Sequence, residues 1–506
     1  MTPPAFPRAA WPEALALLCW LGACFTVIGI GVWHDVTWQL WIARHLNAGV
    51  GLYSWIMEVN PPLWFWMAQP IDRLASATGL PALRLLLAAI LLLIGLSLVL
   101  AARLSTDAPP RLRAVLYCGM LLGTVLITIG DFAQREHLTL IAAIPYALLI
   151  ARRAAGQQVT WQLALATALL ATPMFALKHY FALIPILLEC WLIWRLRRQW
   201  RPLRIETITL VLGAVAYAAA ILIFTPEYLT DMVPGLRLAY GDLRMSTRTI
   251  LLNPMTLLLA ASLFYFWHFR RELRPMAQAM LLIAASFLIA YILQAKGWTY
   301  QFTPIMAALL LAQLLHLAQR PAQPALRRAE RATAILVAGL ALWSPLALGP
   351  YRNEFAPIYD RLLNEARPGM TAVMLTSKAS RMWPMLDEAG LKWPSRYYHF
   401  WMMQAAANRL ATGQPLDGEL GDYLTRVRLD TVEDFTCNPP DFLIDDGASV
   451  DDADFDMLDF FRAEPRFEAL MAAYAVDRQL GPFTVYRRTA PLPLPTGACA
   501  TLLTAH

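Results

Sequence analysis

Acidic, basic and aromatic side chains cluster in short segments between long apolar runs of this 506-residue chain. The densest is GDFAQREHL (130–138), in which four ionisable residues occupy seven positions: Asp131, Arg135, Glu136 and His137. Ionised groups beside apolar runs are costly unless they are paired or hydrated. Such a segment suits the binding of an anion or a metal ion in a polar cavity. An internal pair of Arg135 with Asp131 or Glu136 is the simpler alternative.

His137, Glu136 and Asp131 are residue types that bind metals, but they lack the spacing of a helical metal motif such as HExxH. No cofactor is therefore required, and a divalent metal stays an open alternative. Two further segments, LKHYF (177–181) and QAKGWTYQF (294–302), bring lysines together with aromatic and amide side chains: Lys178, His179, Tyr180, Lys296, Trp298, Tyr300 and Gln301. A lysine that extends to a membrane surface between aromatic rings is the alternative for each of them.

The segment 34–81 begins with HDVTWQLWIARHLN, whose apolar spacing predicts a helix. Trp38, Trp41, Ile42 and His45 share one face of it, at i, i+3, i+4 and i+7. This pattern favours a helix lying in the membrane interface, with its tryptophans at headgroup depth. Asp35, near its start, is expected either to cap the helix or to face a substrate.

A stiff, aromatic stretch follows, with Tyr53, Glu58 and Asn60 just before the pair Pro61–Pro62. Two consecutive prolines hold the preceding backbone extended. We therefore expect Glu58 and Asn60 to face a cavity.

The amino-acid composition indicates the class of protein whose elements position these residues. The chain is 58% hydrophobic and 15% charged, whereas soluble domains are near 45–50% apolar and about 25% charged. These values favour a polytopic membrane protein and argue against a nucleic-acid-binding protein or an ordinary cytosolic enzyme. The phosphate-binding motifs GxxxxGK[ST] and GxGxxG are absent from the sequence.

Membrane spans need about 20 apolar residues. We predict eleven, at 12–33, 82–102, 114–130, 137–151, 159–177, 181–195, 205–225, 249–269, 276–294, 302–319 and 332–350. Before position 351, the segments that connect the spans fall into two alternating sets. One set carries 18 basic residues in total and the other carries nine. Because basic loops stay in the cytoplasm, the N-terminus is predicted to lie inside and the C-terminal tail outside.

These patterns predict a transmembrane module over 1–350, with 34–81 as its first outward loop, and a small extracytoplasmic α/β domain over 351–506. The first region has 27 basic and 14 acidic residues, and the second has 15 and 22. In the tail we predict strands at 371–377, 441–447 and 483–488 and a helix over 380–391. Cys437 and Cys499 are its two cysteines, and outside the cytosol a disulfide between them is plausible.

The outward loops resemble those of the GT-C glycosyltransferase superfamily, which includes lipid A aminoarabinose transferases, protein O-mannosyltransferases and arabinofuranosyltransferases. An acid after the first span, a helix and then Tyr-x4-Glu-x-Asn-Pro-Pro-Leu carry the resemblance, most specifically over 34–63. DFAQREHL and KGWTYQFTP also look like strings of uncharacterised bacterial members. The likeness covers about 1–350 in topology. The single acid at position 35, where an Asp-Glu doublet would mark the O-mannosyl branch, argues against that branch.

The resemblance implies sugar transfer from a polyprenyl-phosphate donor to a hydroxyl of a glycan, lipid or protein at the periplasmic face of a bacterial inner membrane. Asp35 matches the family's general base, and Glu58 matches the acid that shapes the site. A single displacement would invert the anomeric centre. Cations must stabilise the leaving phosphate; the candidates are Arg135, Lys178 and Lys296, with Arg248 as a fourth. Tyr53, Tyr180, Trp298 and Tyr300 are expected to line the sugar or the prenyl chain.

Two other functions fit parts of the pattern. A transporter or flippase of lipid-linked saccharides would also need an outward polar cavity, but transporters typically carry their polar groups at mid-membrane and in repeats, which this sequence lacks. A non-catalytic assembly component, with a tail that binds a partner, would not need the outward acids.

Overall fold

The computed structural model describes residues 10–252, 254–320, 328–450 and 455–492. The chain divides into two compact units. The first, here the helical unit, comprises Met1–Val32, Leu80–Ala219 and Met245–Tyr351. The second, here the mixed unit, comprises Trp33–Gly79, Ala220–Arg244 and Arg352–His506. Each is described separately below.

The helical unit is built from long apolar helices and the short turns between them. Its α-helices are Trp11–Val27, Ala82–Leu104, Pro110–Leu121, Arg135–Ala154, Trp161–Ala176, Leu183–Leu196, Ile205–Phe224 (whose last residues belong to the mixed unit), Thr247–Leu251, Pro254–His268, Pro275–Gln294, Thr299–Gln319 and Arg328–Leu348. Four shorter helical segments in the described part of this unit are Leu122–Ile127, Ile129–Asp131, His179–Ala182 and Arg197–Gln199.

Within the described residues, eight helices are long and apolar enough to cross a membrane. Three shorter apolar helices, Trp11–Val27, Trp161–Ala176 and Met255–His268, occupy the other three predicted positions. Every predicted apolar segment thus coincides with a helix. The count of eleven spans and their orientation stay predictions.

Two of these helices form the interior of the helical unit and carry much of the polar site at one end. In the apolar windows of Arg135–Ala154 and Thr299–Gln319, 89% and 83% of the residues are buried, whereas the window of Ile205–Phe224 contains no buried residue. Small residues permit close packing here. A Cβ at Gly123 would lie 3.3 Å from the Cβ of Ala307, and one at Gly119 only 2.7 Å from Leu311.

The mixed unit combines helices with one four-stranded sheet. Its α-helices are His34–Asn47, Leu63–Thr78, Val233–Ala239, Ala356–Leu362, Met385–Glu388, Met403–Ala411, Gly418–Cys437, Met457–Arg462 and Pro465–Met471. The strands are β1 (Ala372–Leu375), β2 (Phe442–Asp446), β3 (Tyr474–Leu480) and β4 (Phe483–Arg488), in the spatial order β1-β2-β4-β3. β1 and β2 are parallel, and the other two pairings are antiparallel.

Three predicted strands are confirmed as β1, β2 and β4, while β3 was not predicted. The predicted helix over 380–391 is wrong. Only Ala379–Arg381 and Met385–Glu388 are helical there. Pro384 lies between them, and a proline both lacks the amide donor and disfavours helical backbone in the preceding residue.

Arg396 connects the first loop to the C-terminal part of the mixed unit. Its carbonyl accepts a hydrogen bond from the Met57 amide at 2.9 Å, and its guanidinium donates to Asp434 at 2.8 and 2.9 Å. Both side chains are buried. A buried ion pair of this kind fixes one arrangement, because separating the charges would leave one of them buried without its partner.

Candidate functional site

Asp35 is the second residue of the helix His34–Asn47. The N-cap of that helix is Trp33, and no side chain caps it; the predicted alternative of Asp35 as a cap is therefore wrong. A carboxylate in the first helical turn is favoured by the helix dipole. The side chain of Asp35 is 22% exposed, so a hydroxyl group from outside the protein can reach it.

The tryptophan face of the same helix is covered by protein, so these tryptophans do not contact lipid headgroups as predicted, while the position of the helix at the membrane interface stays a prediction. Trp38 and Trp41 are each 2% exposed and stack on one another at 4.4 Å. Trp38 also stacks on Tyr398 at 4.6 Å, and Trp383 meets both tryptophans edge-on. Aromatic rings from the C-terminal region cover this face, and the burial orients the helix that carries Asp35.

Glu58 holds the loop before the two prolines in one conformation. Its Oε1 accepts hydrogen bonds from the amide and side chain of Asn60 at 2.9 and 2.6 Å, and its Oε2 accepts one from Trp38 Nε1 at 2.7 Å. Tyr53, 1% exposed and at φ 70°, donates from its hydroxyl to the Asn60 carbonyl. With 3% exposure and donors on both oxygens, Glu58 is placed to position this loop, and that it faces a cavity stays a prediction.

Replacing Glu58 should therefore cost stability. Glu58→Gln replaces one of the two accepting carboxylate oxygens by an NH2 group. This NH2 group then faces a hydrogen-bond donor of Trp38 or Asn60. Hydrogen bonds to charged groups contribute about 1.5–3 kcal/mol each, and we expect the free energy of unfolding to fall by that amount. Asp35→Asn should lower it by no more than about 1 kcal/mol. Tryptophan fluorescence during unfolding measures both; equal losses would contradict the distinction.

Two histidines near Asp35 were not predicted. His34 Nε2 lies 3.7 Å from Asp35 Oδ1. His399 belongs to the C-terminal region, and its Nδ1 bonds the Ser377 carbonyl at 2.8 Å, so Nδ1 carries the proton. Burial lowers the pKa of His34, and Asp35 opposes that shift. Burial and the nearby His34 lower the pKa of His399 to about 4. The sequence signal for His34 was only its position next to Asp35, and His399 had none.

These shifts predict acid lability of the mixed unit. A histidine whose pKa is 6.5 when unfolded and about 4 when folded binds a proton first in the unfolded state. Stability therefore falls as the pH drops from about 6.5 to 4, by up to about 1.4 kcal/mol per pH unit and group. His399→Asn retains a donor for the Ser377 carbonyl and should flatten this slope. Thermal unfolding between pH 7 and pH 4 measures it; an unchanged slope would contradict the assignment.

The helical unit contains a second polar group of residues, here the Glu136 cluster: Glu136, Lys178, Tyr180, Gln294, Tyr300 and Gln301. Glu136 Oε1 accepts from Lys178 Nζ and from the Tyr180 hydroxyl, both at 2.8 Å. The Lys178 ammonium lies 5.4 Å from the ring centroid of Tyr180 and 5.3 Å from that of Tyr300. An ammonium between two ring faces and a carboxylate is held in one place.

The other predicted cations differ in their burial and in their contacts with this cluster. Arg135, 2% exposed, begins the helix that carries Glu136 and acts electrostatically on the Tyr180 hydroxyl. Lys296, 3% exposed, lies in the connection before Trp298, whose ring is 5.6 Å from Tyr300. His179 and Arg248 are exposed. Among the described residues no contact joins the Arg248 side chain to the cluster.

The acids of the segment 130–138 accept hydrogen bonds from residues of other helices and turns. Asp131 accepts from the Thr303 and Thr299 hydroxyls at 2.5 and 3.2 Å, and Glu136 pairs with Lys178.

His137 is placed by backbone contacts and does not form the metal site considered above. Its Nδ1 accepts from the Ala133 amide at 3.1 Å, so its Nε2 carries the proton and donates to the Thr124 carbonyl at 2.7 Å. Both ring nitrogens are thus used. Among the described residues, no three His, Cys, Asp or Glu side chains come together as a metal site. In the tail, Cys437 is disulfide-bonded, and Cys499 lies outside the described residues.

Comparison with known proteins gives no match to a family model or to a curated protein. Solved structures do match. A crystal structure of ArnT from Cupriavidus metallidurans bound to undecaprenyl phosphate aligns over 94% of this chain and 97% of its own, at 12% identity and a TM-score of 0.53. Its apo form gives the same coverage and identity, with a TM-score of 0.51. An Archaeoglobus fulgidus oligosaccharyltransferase covers 87% of this chain and 70% of its own, at 10% identity and a TM-score of 0.47. The chain therefore shares the fold of this ArnT structure.

Proposed function

We propose that the protein is a membrane glycosyltransferase that moves a sugar from a polyprenyl-phosphate donor to an acceptor hydroxyl on a glycan, a lipid or a protein. The reaction takes place at the periplasmic face of a bacterial inner membrane, with the C-terminal α/β region in the periplasm. Membrane lipids surround the apolar helices. The proposal invokes no metal and no nucleic acid.

The observation that carries the proposal is the fold. The chain aligns almost end to end with an ArnT structure that contains undecaprenyl phosphate. Its own residues supply what such a donor requires, because Arg135, Lys178 and Lys296 are buried cations in a chain with many apolar helices. Preorganised cations in a site that excludes water stabilise the charge that develops on a leaving phosphate.

Each residue then has a defined task. Asp35 accepts the proton of the acceptor hydroxyl as its oxygen attacks the anomeric carbon. The bond from that carbon to the phosphate oxygen breaks, and its electron pair leaves with the lipid phosphate. A single displacement inverts the anomeric configuration. Lys178, Arg135 and Lys296 bind the phosphate, with Arg248 a more distant candidate, while Glu58, Asn60 and Tyr53 hold the loop near Asp35.

A proteoliposome experiment tests the proposal against transport. The purified protein is reconstituted with undecaprenyl-phosphate pentoses and hexoses that carry a labelled sugar. We expect release of undecaprenyl phosphate and appearance of labelled product with a candidate acceptor. Movement of intact labelled lipid between the leaflets, with no release of undecaprenyl phosphate, would overturn the proposal in favour of a flippase.

A further inference from the structure

The Glu136 cluster is a continuous hydrogen-bonded chain with a fixed direction. Because a carboxylate only accepts, the Tyr180 hydroxyl donates to Glu136 and must itself accept from Gln294. The Gln294 carbonyl oxygen then accepts from Gln301 Nε2 at 2.9 Å. Each amide orientation follows from the one before it.

This chain of bonds ends in two buried acceptors. Glu136 Oε2 and Gln301 Oε1 have no hydrogen-bond partner among the described residues. Both residues are almost fully buried, at 1% and 3% exposure. Buried acceptors without donors are rare in folded proteins because each costs the free energy of its lost hydration. Their presence at the two ends of one network indicates that something else supplies the donors.

The two acceptor oxygens, Glu136 Oε2 and Gln301 Oε1, indicate which kind of ligand can supply the donors. A phosphate diester or monoester offers mainly acceptor oxygens, and these would repel Glu136 Oε2. Hydroxyl groups of a sugar are donors of the right kind. Lys178 in turn stabilises the carboxylate as an anion through Oε1, so that Oε2 stays a strong acceptor.

We infer that Glu136 and Gln301 recognise the hydroxyl groups of the donor sugar, so that this cluster selects a glycosylated polyprenyl phosphate over the bare lipid phosphate. The inference rests on the proposed function and adds to it the residues that recognise the donor sugar. Glu136 and Gln301 are specificity-determining residues, distinct in task from the cations that hold the phosphate.

Binding measurements on the full-length protein in nanodiscs test this. The probes are undecaprenyl phosphate alone and a panel of undecaprenyl-phosphate pentoses and hexoses. The wild-type protein should bind at least one sugar lipid more tightly than the bare phosphate. In Glu136→Gln the carbonyl oxygen stays with Lys178 and Tyr180, and an amide donor replaces Oε2. We expect this preference to fall by about tenfold to a hundredfold while affinity for the bare phosphate does not weaken.

Two further variants make the result decisive. Gln301→Met removes the second acceptor without changing charge, and it should lower the preference about fivefold or more. Glu189→Gln is the matched control, since Glu189 also pairs with a cation, Arg204, and should keep the wild-type preference.

The outcomes separate this inference from the proposed function. A parallel loss of both affinities in Glu136→Gln and in Gln301→Met, an unchanged preference in both, or a wild-type protein without preference would overturn the inference. Failure of the wild-type protein to bind any of these lipids or to release undecaprenyl phosphate would instead overturn the proposed function.

Discussion

Asp35→Asn should abolish measurable sugar transfer while leaving the fold intact. A positioned general base contributes about 10²–10⁴-fold to a rate, and an amide cannot accept the proton of the acceptor hydroxyl. The side chain is partly exposed in the first turn of a helix that Trp38 and Trp41 hold in place by packing inside the protein. Its replacement therefore removes the chemistry with little effect on packing. Release of undecaprenyl phosphate in the presence of acceptor measures the rate.

Asp231→Asn is the matched control for this variant. Asp231 is an exposed acid of the same mixed unit that accepts a hydrogen bond from the Thr230 hydroxyl, and its variant should transfer at the wild-type rate. If Asp35→Asn retained more than about a tenth of the wild-type rate, the assignment of Asp35 as the base would be wrong.

Lys178→Gln is the second variant with a large expected effect. Loss of one preorganised charge donor lowers kcat by about 10²–10³-fold, and affinity for bare undecaprenyl phosphate should fall with it. The same change leaves the buried Glu136 without its ion-pair partner, which costs about 3–5 kcal/mol of stability. Activity alone could therefore not separate phosphate binding from folding.

The double variant Lys178→Gln with Glu136→Gln makes that separation. It removes both charges of the pair, so stability should return close to the wild-type value, since replacing a whole buried pair by neutral groups is often nearly neutral. Affinity for undecaprenyl phosphate should stay low, because the cation is still missing. Recovery of that affinity together with stability would show that Lys178 has a structural role only.

The helices of this protein could be predicted well from sequence because apolar length is a local signal. All eleven predicted segments coincide with helices, and the periodicity of 34–47 predicted its helix correctly. The same periodicity could not say what covers the apolar face. An apolar helix face packs equally well against lipid and against rings such as those of Trp383 and Tyr398, so the predicted contact of the tryptophans with lipid headgroups was wrong.

Pairing within the site was beyond local reasoning for a similar reason. Glu136 and Lys178 are 42 positions apart, and their contact follows from how two helices pack. The neighbours of Glu136 in sequence do not indicate this partner, because residues adjacent along a helix point in different directions. Likewise, β3 was missed because its side chains are largely exposed and show little alternation.

The most direct test of a polyprenyl-phosphate donor is a cryo-EM map of the full-length protein in nanodiscs with undecaprenyl phosphate. The account predicts phosphate density within hydrogen-bonding distance of Lys178 or Arg135, with the prenyl chain running along apolar helices. Phosphate density at the arginine-rich segment 195–204, which follows the helix Leu183–Leu196 at its other end, would contradict it.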